Sequence, residues 1–205
     1  MRAAVFDADK RRLSVQEVPV PTPGPDEVLV RVEACGICLS DVHLIDGTLP
    51  PVLRSVIPGH ESSGVVESVG DLVKGWKPGD EVILTGGRQC RECRYCVIGR
   101  PEDCLDRQVM GVAYHGAWAE YVVVPYFSLA PKPPALPFEQ AAIIADAVST
   151  PYAGLIDRGG LRMGESVGLW GIGGLGVHAV QIARLAGAAP IIALDPSPKA
   201  RERAL

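Results

Sequence analysis

The chain has 205 residues, 47% of them hydrophobic, which suits one large or two modest folded domains and excludes a disordered chain. Its 20 Lys and Arg against 24 Asp and Glu leave a formal charge of −4 with no basic patch, which argues against a nucleic-acid surface. The N-terminal "MRAAVFDADKRR" carries charge where a signal peptide needs an apolar segment, and no later run approaches the roughly 20 apolar residues that span a bilayer. A cytoplasmic protein without membrane contact is expected.

In chain order, alternating patterns predict strands at "LSVQEV", "EVLVRVEA", "SGVVESVG", "DEVILTG" and "AEYVVVP", punctuated by "PVPTPGPDE" and "KGWKPGDE". Residues 1 to about 135 are therefore expected to be mainly β. After "LAPKPPALP", the stretch "FEQAAIIADAVSTPYAGLIDRGG" is apolar at helical spacing, with Pro137 suited to a first turn. "ESVGLWGIGGLGVHAVQIARLAGAAPIIALD" then reads as strand, glycine turn, helix and strand, the opening of a parallel βαβ series. A doubly wound sheet needs about six strands and two are supplied, so the chain is expected to be the N-terminal part of a longer protein. The boundary is drawn between residues 1–145 and 146–205.

Cys90, Cys93, Cys96 and Cys104 form C-x2-C-x2-C-x7-C, with Gly99 and Pro101 placed to turn the backbone so that four sulfurs converge. In a reducing compartment clustered thiols point to metal ligation. Four thiolates suit a closed tetrahedral zinc site, with iron–sulfur ligation the chemical rival. Arg88, Arg91 and Arg94 stand nearby to offset the negative charge.

"ACGICLSDVH" groups Cys38, Ser40, Asp41 and His43, and "IPGHESSGVVESVGDLV" places His60 beside Glu61 in G-H-E-x2-G-x5-G-x2-V. With Asp146, Cys38 and His60 make a soft, a borderline and a hard ligand, a set zinc tolerates. The competing reading of Asp146 is a helix cap. Gly171, Gly173 and Gly176, with Gly174 among them, form G-x-G-x-x-G between a predicted strand and a predicted helix. Such a turn lets a pyrophosphate approach the backbone at a helix N-terminus. Asp195 closes the next strand, where it can accept from ribose hydroxyls and repel a 2′-phosphate, so NAD is expected over NADP; Lys199, Arg201 and Arg203 follow closely.

These motifs, in this order and at these spacings, resemble the zinc-dependent alcohol dehydrogenases of the medium-chain dehydrogenase/reductase superfamily over essentially the whole chain. The resemblance implies an α/β protein: a GroES-like β domain with two zincs, then the first part of a Rossmann doubly wound parallel sheet. It implies catalytic zinc on Cys38, His60 and Asp146, and structural zinc on Cys90, Cys93, Cys96 and Cys104, with Cys35 outside both. Asp146 stands where the best-known members carry cysteine, and Leu39 where some relatives place a basic residue. Glu61 matches the acidic residue behind the zinc, and Asp41 the carboxylate that orients the ligand histidine. Ser40 and His43 match a proton relay, against the simpler reading of a helix cap and a surface imidazole. Thr150 matches a position near the nicotinamide, against helix packing.

The activity so implied is NAD-linked interconversion of a small alcohol with its aldehyde or ketone, in a homodimer or homotetramer. Polyol or threonine dehydrogenases share much of the pattern. From another class, a non-catalytic zinc-binding fragment is the alternative. His115 and His178 are read as structural.

Overall fold

The computed structural model describes residues 1–205, which divide into two compact units, Met1–Ala145 and Asp146–Leu205. In chain order the first unit holds β1 (Arg2–Asp7), β2 (Arg12–Glu17), β3 (Glu27–Cys35), α1 (Leu39–Asp46), β4 (Ser55–Val56), β5 (Ser62–Val69) and β6 (Glu81–Leu84). There follow β7 (Gly87–Arg88), α2 (Arg94–Val97), β8 (Gln108–Val109), β9 (Tyr121–Pro125), β10 (Leu129–Pro131) and α3 (Phe138–Ala142).

Five antiparallel strands in the order β10-β6-β5-β3-β9 form the main sheet. Side-chain alternation sends Val28 and Val30 of β3, Val82 and Leu84 of β6, and Val122 and Val124 of β9 to one face. There they meet Val66, Met110 and Leu129 in the largest core. Two register shifts between β3 and β5 curl the sheet, as bulges do. Cys35 pairs with Ser62. The segment leaving β3 and the segment entering β5 therefore emerge at the same sheet end, which brings the two sequence motifs together.

A second antiparallel sheet, β2-β1-β4, seats the helix of the site. Leu44 of α1 is buried with Phe6 of β1 and Val56 of β4. Gly47 closes α1 in the left-handed conformation, its N–H donating to the His43 carbonyl.

β1 is not among the strands expected from the sequence. Its buried Ala3, Val5 and Phe6 break strict alternation, and β4, β7, β8 and β10 are too short to show a period. The apolar stretch from Phe138 also differs from the expected continuous helix. It breaks into α3, a 3-10 turn at Ile143–Ala145, α4 (Ser149–Tyr152) and a π turn at Ala153–Arg158. The boundary between the two units falls inside it, and Pro151, which has no N–H to donate, lies within α4.

In the second unit β11 (Val167–Trp170) and β12 (Ile191–Leu194) pair in parallel, joined by α5 (Gly174–Leu185), with α6 (Pro198–Glu202) after them. Val167, Leu169, Ile191 and Ala193 alternate with the more exposed Gly168, Trp170, Ile192 and Leu194. No helix is long and apolar enough to cross a membrane.

Leu84 has no solvent exposure, whereas Val15 on β2 is 74% exposed. Leu84→Ala is expected to lower unfolding stability by about 2–5 kcal/mol, read as a lower urea midpoint at unchanged slope. Val15→Ala should stay within about 0.5 kcal/mol of the parent.

Candidate functional site

The four-cysteine loop springs from a two-stranded ribbon in which β7 pairs with β8 and Arg88 Nε donates to Gln108 Oε1 at 2.8 Å. Above it, α2 and a 3-10 turn at Pro101–Asp103 fold the chain back. The sulfurs of Cys90, Cys93, Cys96 and Cys104 lie within 4.8 Å of one another, and all four are free thiols. Backbone amides are aimed at them: Cys90 N–H donates to Cys104 Sγ at 3.4 Å and Cys93 N–H to Cys90 Sγ at 3.3 Å. The Cys96 amide, with that of Leu105, lowers the Cys93 thiol to about 6. Burial, reinforced by Cys104, pushes Cys96 up to about 12. Convergent sulfurs with amide donors behind them fit a tetrahedral dication, which needs all four as thiolates.

The nearby arginines are held on aromatic faces. The Arg88 guanidinium lies 4.6 Å from the Tyr114 ring centroid and that of Arg94 4.8 Å from Tyr95. Arg91 reaches furthest, 4.7 Å over Phe127, with Nη1 donating to Tyr126 Oη at 3.3 Å. It does so from a left-handed backbone with φ +63°, a conformation that an arginine rarely adopts. These contacts tether the loop to the turn after β9.

The second cluster forms where β3 and β5 meet. The ligand atoms of Cys38, His60 and Glu61 lie within 4.8 Å of one another. Cys38 is the N-cap of α1, which carries Ser40, Asp41 and His43. Asp41, 2% exposed, joins the segments: Oδ2 accepts from Cys38 N–H at 2.9 Å and Oδ1 from Gly59 N–H at 3.3 Å. The same Oδ1 lies 3.5 Å from His60 Nδ1. That contact presents Nε2, beside Ser40 Oγ at 3.4 Å, to a metal. His60 and Glu61 are only 7% and 5% exposed. The buried carboxyl of Glu61 with a thiol and an imidazole makes a donor set suited to a divalent cation, with Asp41 behind the imidazole.

Gly59 makes this approach possible. Its φ is +95°, and a Cβ there would collide with the Trp118 ring and lie 2.9 Å from Cys35 Sγ. Trp118 Nε1 donates to the Gly36 carbonyl at 3.4 Å, tying the Gly59 turn to the segment after β3. Neither Trp118 nor Gly36 stands out in the sequence, because no spacing ties "AYHGAWAEY" to the other motifs. Burial, reinforced by the charge of Asp41, pushes the Cys35 thiol up to about 12, so it keeps its proton. His43 lies one turn beyond Ser40 on α1, its Nδ1 3.7 Å from Asp46 Oδ2. Leu39 is exposed. His115 Nδ1 accepts from Ile57 N–H at 3.2 Å, and the His178 ring bonds the Gly174 carbonyl at 2.8 Å.

In the second unit, Thr150 Oγ1 donates to Asp146 Oδ1 and Thr150 N–H to the Asp146 carbonyl at 2.9 Å. β11 runs into Gly171, Gly173 caps α5, and Gly174 is its first residue. A Cβ at Gly176 would collide with the Gly171 carbonyl, so the third glycine permits α5 to pack closely against the end of β11. Asp195, just past β12, accepts from Ile172 N–H in that turn at 2.7 Å and from Ser197 N–H at 2.8 Å. Those amides, Ile172 first, hold its carboxyl below the usual carboxylate range. Two of the roughly four acceptor positions of a carboxylate are thus engaged. Arg201 donates to the Asp195 carbonyl and Arg203 to that of Ile172, while Lys199 is exposed on α6.

Residues 24–134 match the family described as alcohol dehydrogenase GroES-like domain. "Putative alcohol dehydrogenase D" of Mycobacterium tuberculosis (strain CDC 1551 / Oshkosh) is 35% identical over 99% of this chain and 60% of its own length. A crystal structure of an NAD-dependent alcohol dehydrogenase superposes with a TM-score of 0.91 at 40% identity, covering 100% of this chain and 60% of that one. A putative zinc-binding dehydrogenase from Sinorhizobium meliloti 1021 bound to NADP gives a TM-score of 0.91 at 34% identity, covering 99% and 58%. The chain thus spans about 60% of the length of the proteins it matches.

Zinc uptake by the four-thiol loop is expected to release protons, because Cys96 retains its proton at neutral pH whereas Cys93, with a thiol at about 6, is largely ionised. Lowering the pH through 6 protonates Cys93 as well, so affinity should fall and proton release rise. Calorimetry in buffers of differing ionisation enthalpy reads both; uptake without proton release would contradict the assignment.

Proposed function

The chain belongs to the alcohol dehydrogenase GroES-like family, and from that premise we propose that it serves a zinc-dependent oxidoreductase interconverting small alcohols with aldehydes or ketones. The observation that carries this reading is the buried meeting of Cys38, His60 and Glu61 with Ser40 Oγ 3.4 Å from His60 Nε2 and Asp41 behind the ring. Cys38 and His60 hold the catalytic ion, with Asp146, the first residue of the second unit, as the further ligand that the resemblance implies. Cys90, Cys93, Cys96 and Cys104 hold a structural one. When bound, zinc supplies Lewis acidity toward the substrate oxygen and NAD supplies the hydride acceptor.

Asp41 fixes the ring of His60 and the backbone beside both ligand segments, so the site is organised before substrate arrives. Ser40 Oγ would relay the proton that the alcohol gives up, accepting it as its own hydroxyl proton passes on toward His43. His43, one turn along α1 and half-exposed, passes it to solvent, a task suited to an imidazole whose ordinary pKa lies near neutrality. Glu61 keeps negative charge buried behind the ion. In the second unit the Gly171–Gly176 turn and the α5 N-terminus receive the pyrophosphate. The acceptor positions left on Asp195 would receive the ribose hydroxyls, and its charge would favour NAD over NADP; Lys199 follows it on α6 as a further cofactor contact, and Thr150 would lie near the nicotinamide. The working form is a cytoplasmic homodimer or homotetramer.

A zinc-binding chain without turnover is the second reading. The four-thiol loop favours it, because its sulfurs converge within the first unit without any residue of the glycine turn. Elemental analysis with an NADH-formation assay separates the two. Near two zinc per chain with turnover supports the dehydrogenase; zinc without turnover supports the second reading. In an active preparation, Ser40→Ala is expected to lower kcat by about 100-fold or more at unchanged zinc. Loss of zinc in that variant would show that Ser40 acts on the metal site instead.

A further inference from the structure

The two metal clusters have no residue in common, yet the stems of the four-thiol loop end on the backbone that carries His60. On the entry side Gly86, just before β7, lies against His60: a Cβ there would sit 3.1 Å from the His60 carbonyl oxygen and 3.4 Å from its Cβ. On the exit side Gly111 follows β8 and Met110, and a Cβ there would sit 2.8 Å from Gly59 N and 3.0 Å from the Pro58 carbonyl carbon. Met110 N–H donates to the Gly86 carbonyl at 3.0 Å, tying the stems to each other. The chain then straps the same turn: Gly116 N–H donates to Ile57 O at 2.6 Å, Ala117 N–H to Gly59 O at 3.0 Å and Trp118 N–H to Pro58 O at 3.0 Å.

Below the thiols the neck of the loop is a ribbon of two residues per strand, Gly87 with Val109 and Arg88 with Gln108. So short a ribbon is marginal by itself. Cys90 and Cys104 stand directly above it with their sulfurs 3.5 Å apart. An ion bonded to both sulfurs locks the neck, and the neck sets the spacing of Gly86 and Gly111.

We infer that Gly86 and Gly111 are positioning residues for the His60 cluster, through which filling of the four-thiol loop raises metal affinity at Cys38, His60 and Glu61. This rests on the reading that both clusters take metal. No backbone atom needs to travel far, because Gly86 and Gly111 lie too near His60 and Gly59 to admit even a Cβ without displacement: a neck that opens withdraws the wall beside His60. By linkage the effect is mutual, and metal on the His60 cluster tightens the thiol loop in turn.

The test is a cobalt(II) titration of the metal-free full chain under reducing conditions. Sulfur-to-cobalt charge transfer, stronger for four thiolates than for one, assigns each step. Three proteins are compared: the parent, the double variant Cys93→Ser/Cys96→Ser, which cannot fill the loop, and Gly86→Ala, which keeps all ligands but presses on His60. Affinity at the His60 cluster is expected to fall about tenfold in the double variant, inside the range of roughly 5- to 150-fold usual for coupled sites. In Gly86→Ala the loop should fill as in the parent while the His60 cluster binds more weakly with an altered visible spectrum. Unchanged affinity and spectrum at the His60 cluster in Gly86→Ala overturn the inference, and that comparison decides alone if circular dichroism shows the double variant unfolded. Absence of any second cobalt in the parent overturns the metal reading of the His60 cluster itself, and the inference with it.

Discussion

Gly59 occupies a point at which the chain has no room for a side chain. Its N–H is taken by Asp41, its carbonyl by Ala117, and the place of a Cβ by the Trp118 ring and Cys35 Sγ. The positive φ that glycine tolerates turns the chain sharply between β4 and β5. His60 and Glu61 are thereby delivered into the interior at the start of β5. Every other feature of the cluster assumes this turn: Asp41 reaches across to it, α1 is docked so that Asp41 can do so, and the Phe6, Leu44 and Val56 cluster holds α1 in place.

Burial sets the chemistry of that cluster. Water is largely excluded from His60 and Glu61, so charge there must be met by protein dipoles or by an ion. Asp41 is met by amide donors from both segments of the cluster, which fix its orientation. Cys35, against the Gly59 turn, faces burial and neighbouring negative charge, and it stays a neutral thiol. Proximity alone therefore does not make a ligand; the distinction is whether the environment supports the charged form. The thiol loop solves the same problem differently, with backbone amides pointed at sulfur and arginines parked on aromatic rings nearby.

The second unit shows how little local structure is needed to join a glycine turn to an acidic side chain. One parallel pair, one helix and a glycine turn suffice to bring Asp195 to the Ile172 amide at the mouth of α5. Sequence spacing anticipates the pairing of turn and acidic residue, because a parallel crossover returns the chain to the same sheet end. It does not anticipate that the carboxylate spends two acceptor positions on its own backbone.

Local chemistry is what the amino-acid sequence determines by itself here. The four-cysteine spacing, the glycine turn, the G-H-E motif and five of the longer strands are legible because each depends on residues a few positions apart. The family resemblance rests on those motifs. Elements without a local period escape such a reading: β1 with adjacent buried residues, the two-residue ribbon below the thiols, and the broken helix from Phe138. Tertiary structure alone decides that Asp41 joins two motifs nearly twenty residues apart, that Trp118 packs on the Gly59 turn, that Arg91 anchors a loop, and that Gly86 and Gly111 lie against the turn bearing His60. These are contacts between segments distant along the chain. Their energy comes from exclusion of water and from absence of space, quantities that exist only once the segments have met.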